Sequence, residues 1–337
     1  MAETQLAEAP KAEAPKAAPP RHDPKVVKAL QRFALSISIF NFVGYWLLGF
    51  EQPWAWPFFA LATGYSVEIV LETIGAFAEK RAPRYRGGGK KGLITFLLPA
   101  HITSLAVNML IYVNDRVLVM IFGVTLAVGA KWVLRAPVKG RLRHFMNPSN
   151  FGIAAILWLY PWASIAPPYH FTERVSGPVD WLIPVGIIMG GTMINAKLTN
   201  RMWLILGWVG IFVLQGVVRG LLFDTAILGA VVVITGPAFV LFTNYMITDP
   251  GTSPSKPISQ FAFGGGVAAM YGVLTAAHIA YGIFFATATV CLIRGGFLWA
   301  LHFARRGQVA AQQPSVPTAV PAVVAAAPET KDEAKAA

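Results

Sequence analysis

Residues 117–150 read VLVMIFGVTLAVGAKWVLRAPVKGRLRHFMNPSN. The first part, to about residue 135, is a nearly unbroken apolar run. A helix crossing a bilayer needs roughly 17–25 such residues. The run stops at a basic break that carries Lys139, Arg141 and Arg143. The break leads into Asn147-Pro148-Ser149-Asn150, after which a new apolar run begins. An apolar run closed by a short basic break is the signature of a membrane helix ending on the cytoplasmic side.

The same alternation extends in both directions. Ten apolar runs can be laid out, at about 33–50, 53–77, 92–113, 117–135, 151–167, 181–196, 202–218, 225–246, 258–277 and 282–303. The fifth contains Pro161 and ends at Pro167-Pro168, so a short or kinked helix is expected there. The leader carries Lys25, Lys28 and Arg32. The second break is strongly basic, with Lys80, Arg81, Arg84, Arg86, Lys90 and Lys91. The fourth, sixth and eighth breaks and the end of the tenth run also carry Lys or Arg. The first, third, fifth and seventh carry few, each offset by an acidic residue or none at all. This alternation predicts an all-α polytopic membrane protein of about ten transmembrane helices, with both termini cytoplasmic.

Composition agrees. Apolar residues make up 55% of the chain and charged residues 13%, with mean hydropathy +0.55. A soluble domain carries roughly a quarter charged residues. The net charge of +12 is accounted for by cytoplasmic breaks, so nucleic acid is not an expected partner and membrane lipid is. With Cys291 as the only cysteine, neither an internal disulfide nor a four-thiolate iron–sulfur site can be built. Residues 1–30 and 307–337 are Ala- and Pro-rich low-complexity segments, read as disordered tails around a membrane domain at 31–306. No cleavable signal peptide is expected.

Two polar motifs stand out, 147–150 and 248–254, the second reading Thr248-Asp249-Pro250-Gly251-Thr252-Ser253-Pro254. Both follow an even-numbered run, which places them on the cytoplasmic side. Each sets an Asn or Asp before a Pro and supplies small and hydrogen-bonding residues. Such segments leave backbone groups free at a helix start, where anionic or electron-rich groups are favoured. A planar polar ring system such as an isoalloxazine offers complementary donors and acceptors. The competing reading is simple capping, with Asn150 capping the fifth helix and Ser253 the ninth.

The pairing of FMNPSNFG (145–152) with NYMITDPGTSP (244–254) resembles the NqrB/RnfD family. Those proteins are flavin-bearing membrane subunits of the sodium-pumping NADH:quinone reductase and the Rnf complex. The chain looks closer still to the related branch found in enediyne biosynthesis clusters. The resemblance covers roughly residues 30–305. It implies a bacterial cytoplasmic membrane, two inverted five-helix repeats, electron transport and redox partner proteins. Carried over by residue, it implicates Asn147, Pro148, Asn150 and Gly152, together with Thr248, Asp249, Pro250, Thr252, Ser253 and Pro254, around a riboflavin or FMN near the cytoplasmic face. The respiratory members attach FMN covalently to a Thr in a Ser/Thr-Gly-Ala-Thr motif on the outer side. The nearest string here is Ser176-Gly177-Pro178-Val179, which has no Thr, and Thr192 lies near the wrong end of its run. The expectation is therefore non-covalent flavin, not covalent FMN.

Four ionisable residues fall within the runs: Glu68, Glu72, Lys131 and Arg294. Glu68 and Glu72 share a helix face, and either could pair with Lys131 or Arg294. Such groups are costly in lipid and line a bundle interior or an ion or proton path. His101 and His278 fall at different depths, so they do not form the matched pair that a bis-histidine haem needs. No metal site is expected. His144 lies beside the first motif, and Trp203 and Tyr245 lie on its side of the membrane. Gly190-Gly191 and Gly264-Gly265-Gly266 read as close-packing positions between helices. The leading function is a membrane redox subunit, in which the protein positions a flavin that performs the chemistry. A transporter or channel is the second class, and a structural subunit of a larger complex is the third.

Overall fold

The chain divides into two units, with the division between Trp299 and Ala300. The structure, a computed structural model, describes residues 24–138 and 140–312. Most of both expected tails, and Lys139, lie outside the described residues.

Eleven helices follow in order. They are α1 (Pro24–Val43), α2 (Trp56–Ala78), α3 (Gly89–Leu110), α4 (Val117–Val133), α5 (Pro148–Leu159), α6 (Val179–Ile194), α7 (Met202–Phe223), α8 (Ile227–Val232), α9 (Pro237–Leu241), α10 (Pro257–Ala276) and α11 (Gly282–Gln312). Four short strands form two antiparallel ladders. β1 (Ile111–Tyr112) pairs with β4 (Ser164–Ile165), and β2 (Arg135–Val138) with β3 (Arg141–His144). Among the described residues, seven helices are long and apolar enough to cross a bilayer. The pair Ile227–Thr235 and Pro237–Met246, bent by 63°, is a broken span or a re-entrant loop, which makes the number seven or eight. Gly236-Pro237 sits at the bend, where the proline lacks the N–H that would continue the first helix. Each of the ten apolar runs contains helix, but α4 and α5 fall short of the seven long helices, and the fifth run leaves helix after Leu159. The chain is thus an all-α polytopic membrane protein. Large apolar side chains point outward from its helices, such as Phe77 at 87% and Leu228 at 80% exposed, as lipid contact requires.

Two boundaries differ from expectation. Helix α1 begins at Pro24, well before Phe33, so residues 24–30 are helix rather than tail. Proline suits the first turn of a helix, and the flanking lysines had masked these turns. Helix α11 likewise continues through 307–312.

Contacts sort the breaks into two groups. The guanidinium groups of Arg84 and Arg135 lie 5.4 and 4.8 Å from the ring centroid of Trp132, joining the second and fourth breaks. Arg201 donates from Nε to Ser253 Oγ at 2.8 Å, joining the sixth and eighth. At the other end, Gln52 donates to the Ile111 carbonyl, β1 pairs with β4, and Phe50 packs on His170. The first, third and fifth breaks therefore meet one another, and the even breaks meet one another.

Helices α7 and α10 cross closely. A Cβ on Gly264 would run into the Leu204 carbonyl and Trp208 nitrogen, and one on Gly207 into the backbone of Phe261. Backbone meets backbone here because both positions are glycine. The crossing is backed by an aromatic core in which Trp208, Phe212, Phe239 and Tyr271 stack at centroid separations of 4.7–6.5 Å.

Candidate functional site

The two polar motifs meet in a buried knot. Asn147, in extended conformation, caps α5: its Oδ1 accepts from Asn150 N at 3.1 Å and from the Ser149 hydroxyl at 3.2 Å. Pro148 opens the helix, where its missing N–H costs nothing. Asn147 Nδ2 donates to the Met246 carbonyl at 2.7 Å, which ties α5 to the end of the bent span. Asn150 is therefore not the cap. It donates from Nδ2 to the Phe284 carbonyl at 2.9 Å, and its Oδ1 is buried without a partner. Gly152 packs on the Gly123 carbonyl and Ala127, leaving no room for a Cβ between α5 and α4.

The knot runs deep along α11. The Phe145 ring lies on Gly295, while Asn150 reaches Phe284, eleven residues earlier. At 1.5 Å per residue the segment between them spans about 16 Å of helix axis. Helix α5 thus begins part-way along α11, which is why it is short.

The second motif folds on its own aspartate. Asp249 Oδ1 accepts from Gly251 N at 3.1 Å and Oδ2 from the Thr252 hydroxyl at 3.0 Å. The Ser253 hydroxyl donates to the Asp249 carbonyl at 2.7 Å, and Ser253 accepts from Arg201. Ser253 is consequently a turn residue and not a helix cap, since α10 starts only at Pro257. Thr248 donates to the Asn244 carbonyl at 2.8 Å, which also accepts from Asn195 Nδ2 at 2.8 Å.

Two cavities flank this knot. The larger, about 370 Å³, is apolar and aromatic, with Phe212, Phe239, Phe242, Tyr245, Tyr271 and Phe284 in its wall. Ser149 and Met246 bring it against the knot. Ala166, Ile279 and Tyr281 carry it toward the fifth and ninth breaks, away from the arginine-rich breaks. The smaller, about 70 Å³, is polar and is bordered by Arg143, His144, Arg201, Arg294 and the residues Pro250, Gly251, Ser253, Pro254 and Ser255. Burial holds the His144 imidazole below the ordinary histidine range, with Asp249 opposing and Lys131, Arg135 and Arg143 adding to the effect. Burial likewise lowers Arg201, again with Asp249 opposing.

The ionisable residues within the helices separate. Lys131 Nζ lies 2.7 Å from Glu68 Oε2, a buried pair between α4 and α2 that is close in distance but not aligned as a hydrogen bond. Glu72 is fully buried and binds Arg81 and the Arg84 backbone and side chain, so it anchors the break after α2. Arg294 pairs with neither glutamate and donates to the Thr252 carbonyl. Trp203 is 52% exposed and turned away from the knot, whereas Tyr245 lines the larger cavity. His101 is held between the Ser38 and Tyr65 hydroxyls at 2.8 and 2.6 Å. Arg143 and Arg201 escaped the sequence reading because a basic residue in a break serves equally well as a topology marker.

No family model and no curated protein matches this chain. The likeness to the NqrB/RnfD family rests on the two motifs themselves.

Proposed function

We propose that the chain is a membrane redox subunit that holds a riboflavin or FMN without a covalent bond and relays electrons to or from a partner protein. The observation that carries this reading is the aromatic cavity of about 370 Å³ set against the Asn147 knot. Its volume falls in the range of small-molecule sites, roughly 300–1,000 Å³, and its walls suit a flat ring system. Ser149 brings a hydroxyl to the cavity wall, while its neighbour Asn150, with Oδ1 buried and unpartnered, lies behind the lining. A bound flavin would supply one- and two-electron chemistry. Phe212, Phe239 and Tyr271 would hold the ring, Ser149, Tyr245 and Tyr281 would supply hydroxyls to its polar edge, and the surrounding helices would keep water out.

This reading moves the ring from the cytoplasmic face into the membrane thickness, because the cavity extends away from the arginine-rich breaks. It keeps those breaks on the cytoplasmic side of a bacterial inner membrane. It also takes the chain as ten spans in two inverted halves. In support, α1 and α6 each end in a wide-turn segment followed by a left-handed residue, Gly49 and Asn200. Asn108 donates to Asn41 at 3.3 Å in the first half, as Asn195 does to the Asn244 carbonyl in the second. Helix α2 packs on α3 and α4, as α7 packs on α8 and α10.

The test is the absorption spectrum of the full chain purified in mild detergent, with riboflavin or FMN added back. About one equivalent of non-covalent flavin is expected, lost in Ala238→Trp, which would fill the cavity from its wall. A folded, colourless protein that binds neither added flavin overturns the reading. The 63° bend of the span from Ile227 to Met246 favours a second reading, a transporter of a small solute, since broken helices at a repeat interface mark such sites. Solute uptake into proteoliposomes by the colourless protein would select it.

A further inference from the structure

The smaller cavity is distinct in chemistry from the aromatic one. Three guanidinium groups border it, from Arg143 on β3, Arg201 before α7 and Arg294 within α11. Arg201 is 8% exposed. Among the described residues, none of the three has a carboxylate within ion-pair distance, whereas Arg81, Arg84 and Lys131 each have one. Their partners are neutral. Arg201 donates to Ser253 Oγ and to the Thr199 and Pro250 carbonyls, and Arg294 to the Thr252 carbonyl. A guanidinium carries five N–H donors, so both retain donors for the cavity. The nearby Asp249 carboxylate is turned into its own loop, accepting from Gly251 and Thr252, with Oδ2 3.9 Å from His144 Nε2. One carboxylate therefore faces three guanidiniums. Arg201 is the buried one of the three, and a buried cation without a counter-charge is costly, a cost that a bound anion removes.

We infer that this cavity is an oxyanion site that takes a phosphoryl group, with Arg143, Arg201 and Arg294 as its charged donors and Ser255 beside them. Arginine forks match the paired oxygens of such a group. The volume of about 70 Å³ is far below that of sites enclosing a whole organic ligand. The cavity thus takes a free phosphate or the phosphoryl head of a larger molecule whose body stays outside. The site does not rest on the flavin reading.

The test is equilibrium dialysis of radiolabelled inorganic phosphate against the full chain in mild detergent, at low ionic strength. About one equivalent is expected to bind. Arg201→Gln and Arg294→Gln are each expected to weaken binding at least tenfold. Arg143→Gln lies on an exposed strand outside the helices, so it keeps the fold, and a several-fold loss is expected there. Failure to bind phosphate, or equal binding by wild type and all three variants, overturns the inference. Competition then names the source. Displacement by FMN but not riboflavin assigns the site to a flavin phosphate. Loss of phosphate binding in nanodiscs of phosphatidylglycerol, but not phosphatidylcholine, assigns it to a lipid headgroup. A phosphate site in a colourless protein would keep this inference while removing the flavin reading.

Discussion

Asn147 Nδ2 reaches the carbonyl of Met246, ninety-nine residues away, at 2.7 Å, while the same side chain caps α5 through its Oδ1. One amide therefore does two jobs. It starts a helix part-way along α11, and it ties that helix to the end of the bent span. Both cavities border this tie: Ser149 and Met246 line the aromatic one, and His144 and Phe145 the polar one.

Replacing Asn147 separates these jobs. Asn147→Ala loses the cap, worth about 1 kcal/mol, and leaves a buried carbonyl unpaired, which costs about 1–3 kcal/mol. Asn147→Ser keeps a cap acceptor without adding a charge and loses the donor to Met246. The expected order of thermal stability in detergent is wild type, then Ser, then Ala. If Ala melts with the wild type, the tie contributes nothing.

The Glu68–Lys131 pair lies buried between α2 and α4. Removing one partner strands a charge, and breaking such pairs costs about 3–5 kcal/mol. Lys131→Met should therefore unfold at clearly lower temperature, and Glu68→Leu added to it should restore most of the loss. A double-variant loss equal to the sum of the single losses would show that the pair is not coupled. Should the restored variant lose ion movement in proteoliposomes, the pair is a pathway and not merely a brace.

Much of the fold was legible because lipid imposes a simple rule. The backbone must satisfy itself, so every long apolar run became helix. The alternating charge of the breaks also anticipated which of them meet, as the Arg84–Trp132–Arg135 and Gln52–Ile111 contacts show. The depth of α5 was not legible, because it depends on Asn150 finding the Phe284 carbonyl, a contact between residues 134 apart. None of the ten residues expected around the flavin lines the aromatic cavity; Pro250, Ser253 and Pro254 border the polar one, and Asn147 ties the knot between the two. Arg143 and Arg201 were seen only as topology markers, since sequence does not reveal that three distant arginines converge.

The α7–α10 crossing should tolerate no side chain at its centre. Gly264→Leu would set a side chain against the Leu204 carbonyl and Trp208 nitrogen, backbone atoms that cannot turn aside. Overpacking usually costs about 1–3 kcal/mol, and rigid backbone puts this case at the upper end or beyond. The neighbouring Gly266 has open space, so Gly266→Leu is the control. Trypsin sensitivity in detergent should rise for the first and stay unchanged for the second; equal behaviour would remove the close-approach account.

His170 gives the fold a pH dependence whose sign can be worked out. It lies outside the membrane-spanning helices, 2% exposed, with its ring against Phe50 and both ring nitrogens buried without partners. Burial lowers its pKa to about 4, against an ordinary value of 6.5. The folded state thus binds fewer protons than the unfolded state between those values, so stability rises with pH across that window. The stabilising contribution is complete above about pH 6.5 and is lost progressively as pH falls toward 4. His144, also lowered by burial, adds a slope of the same sign. His170→Leu removes two unsatisfied polar atoms at nearly constant volume. It should raise the melting temperature at pH 5 more than at pH 7.5, leaving the residual slope to His144. An equal gain at both pH values would mean that His170 is not held neutral by the fold.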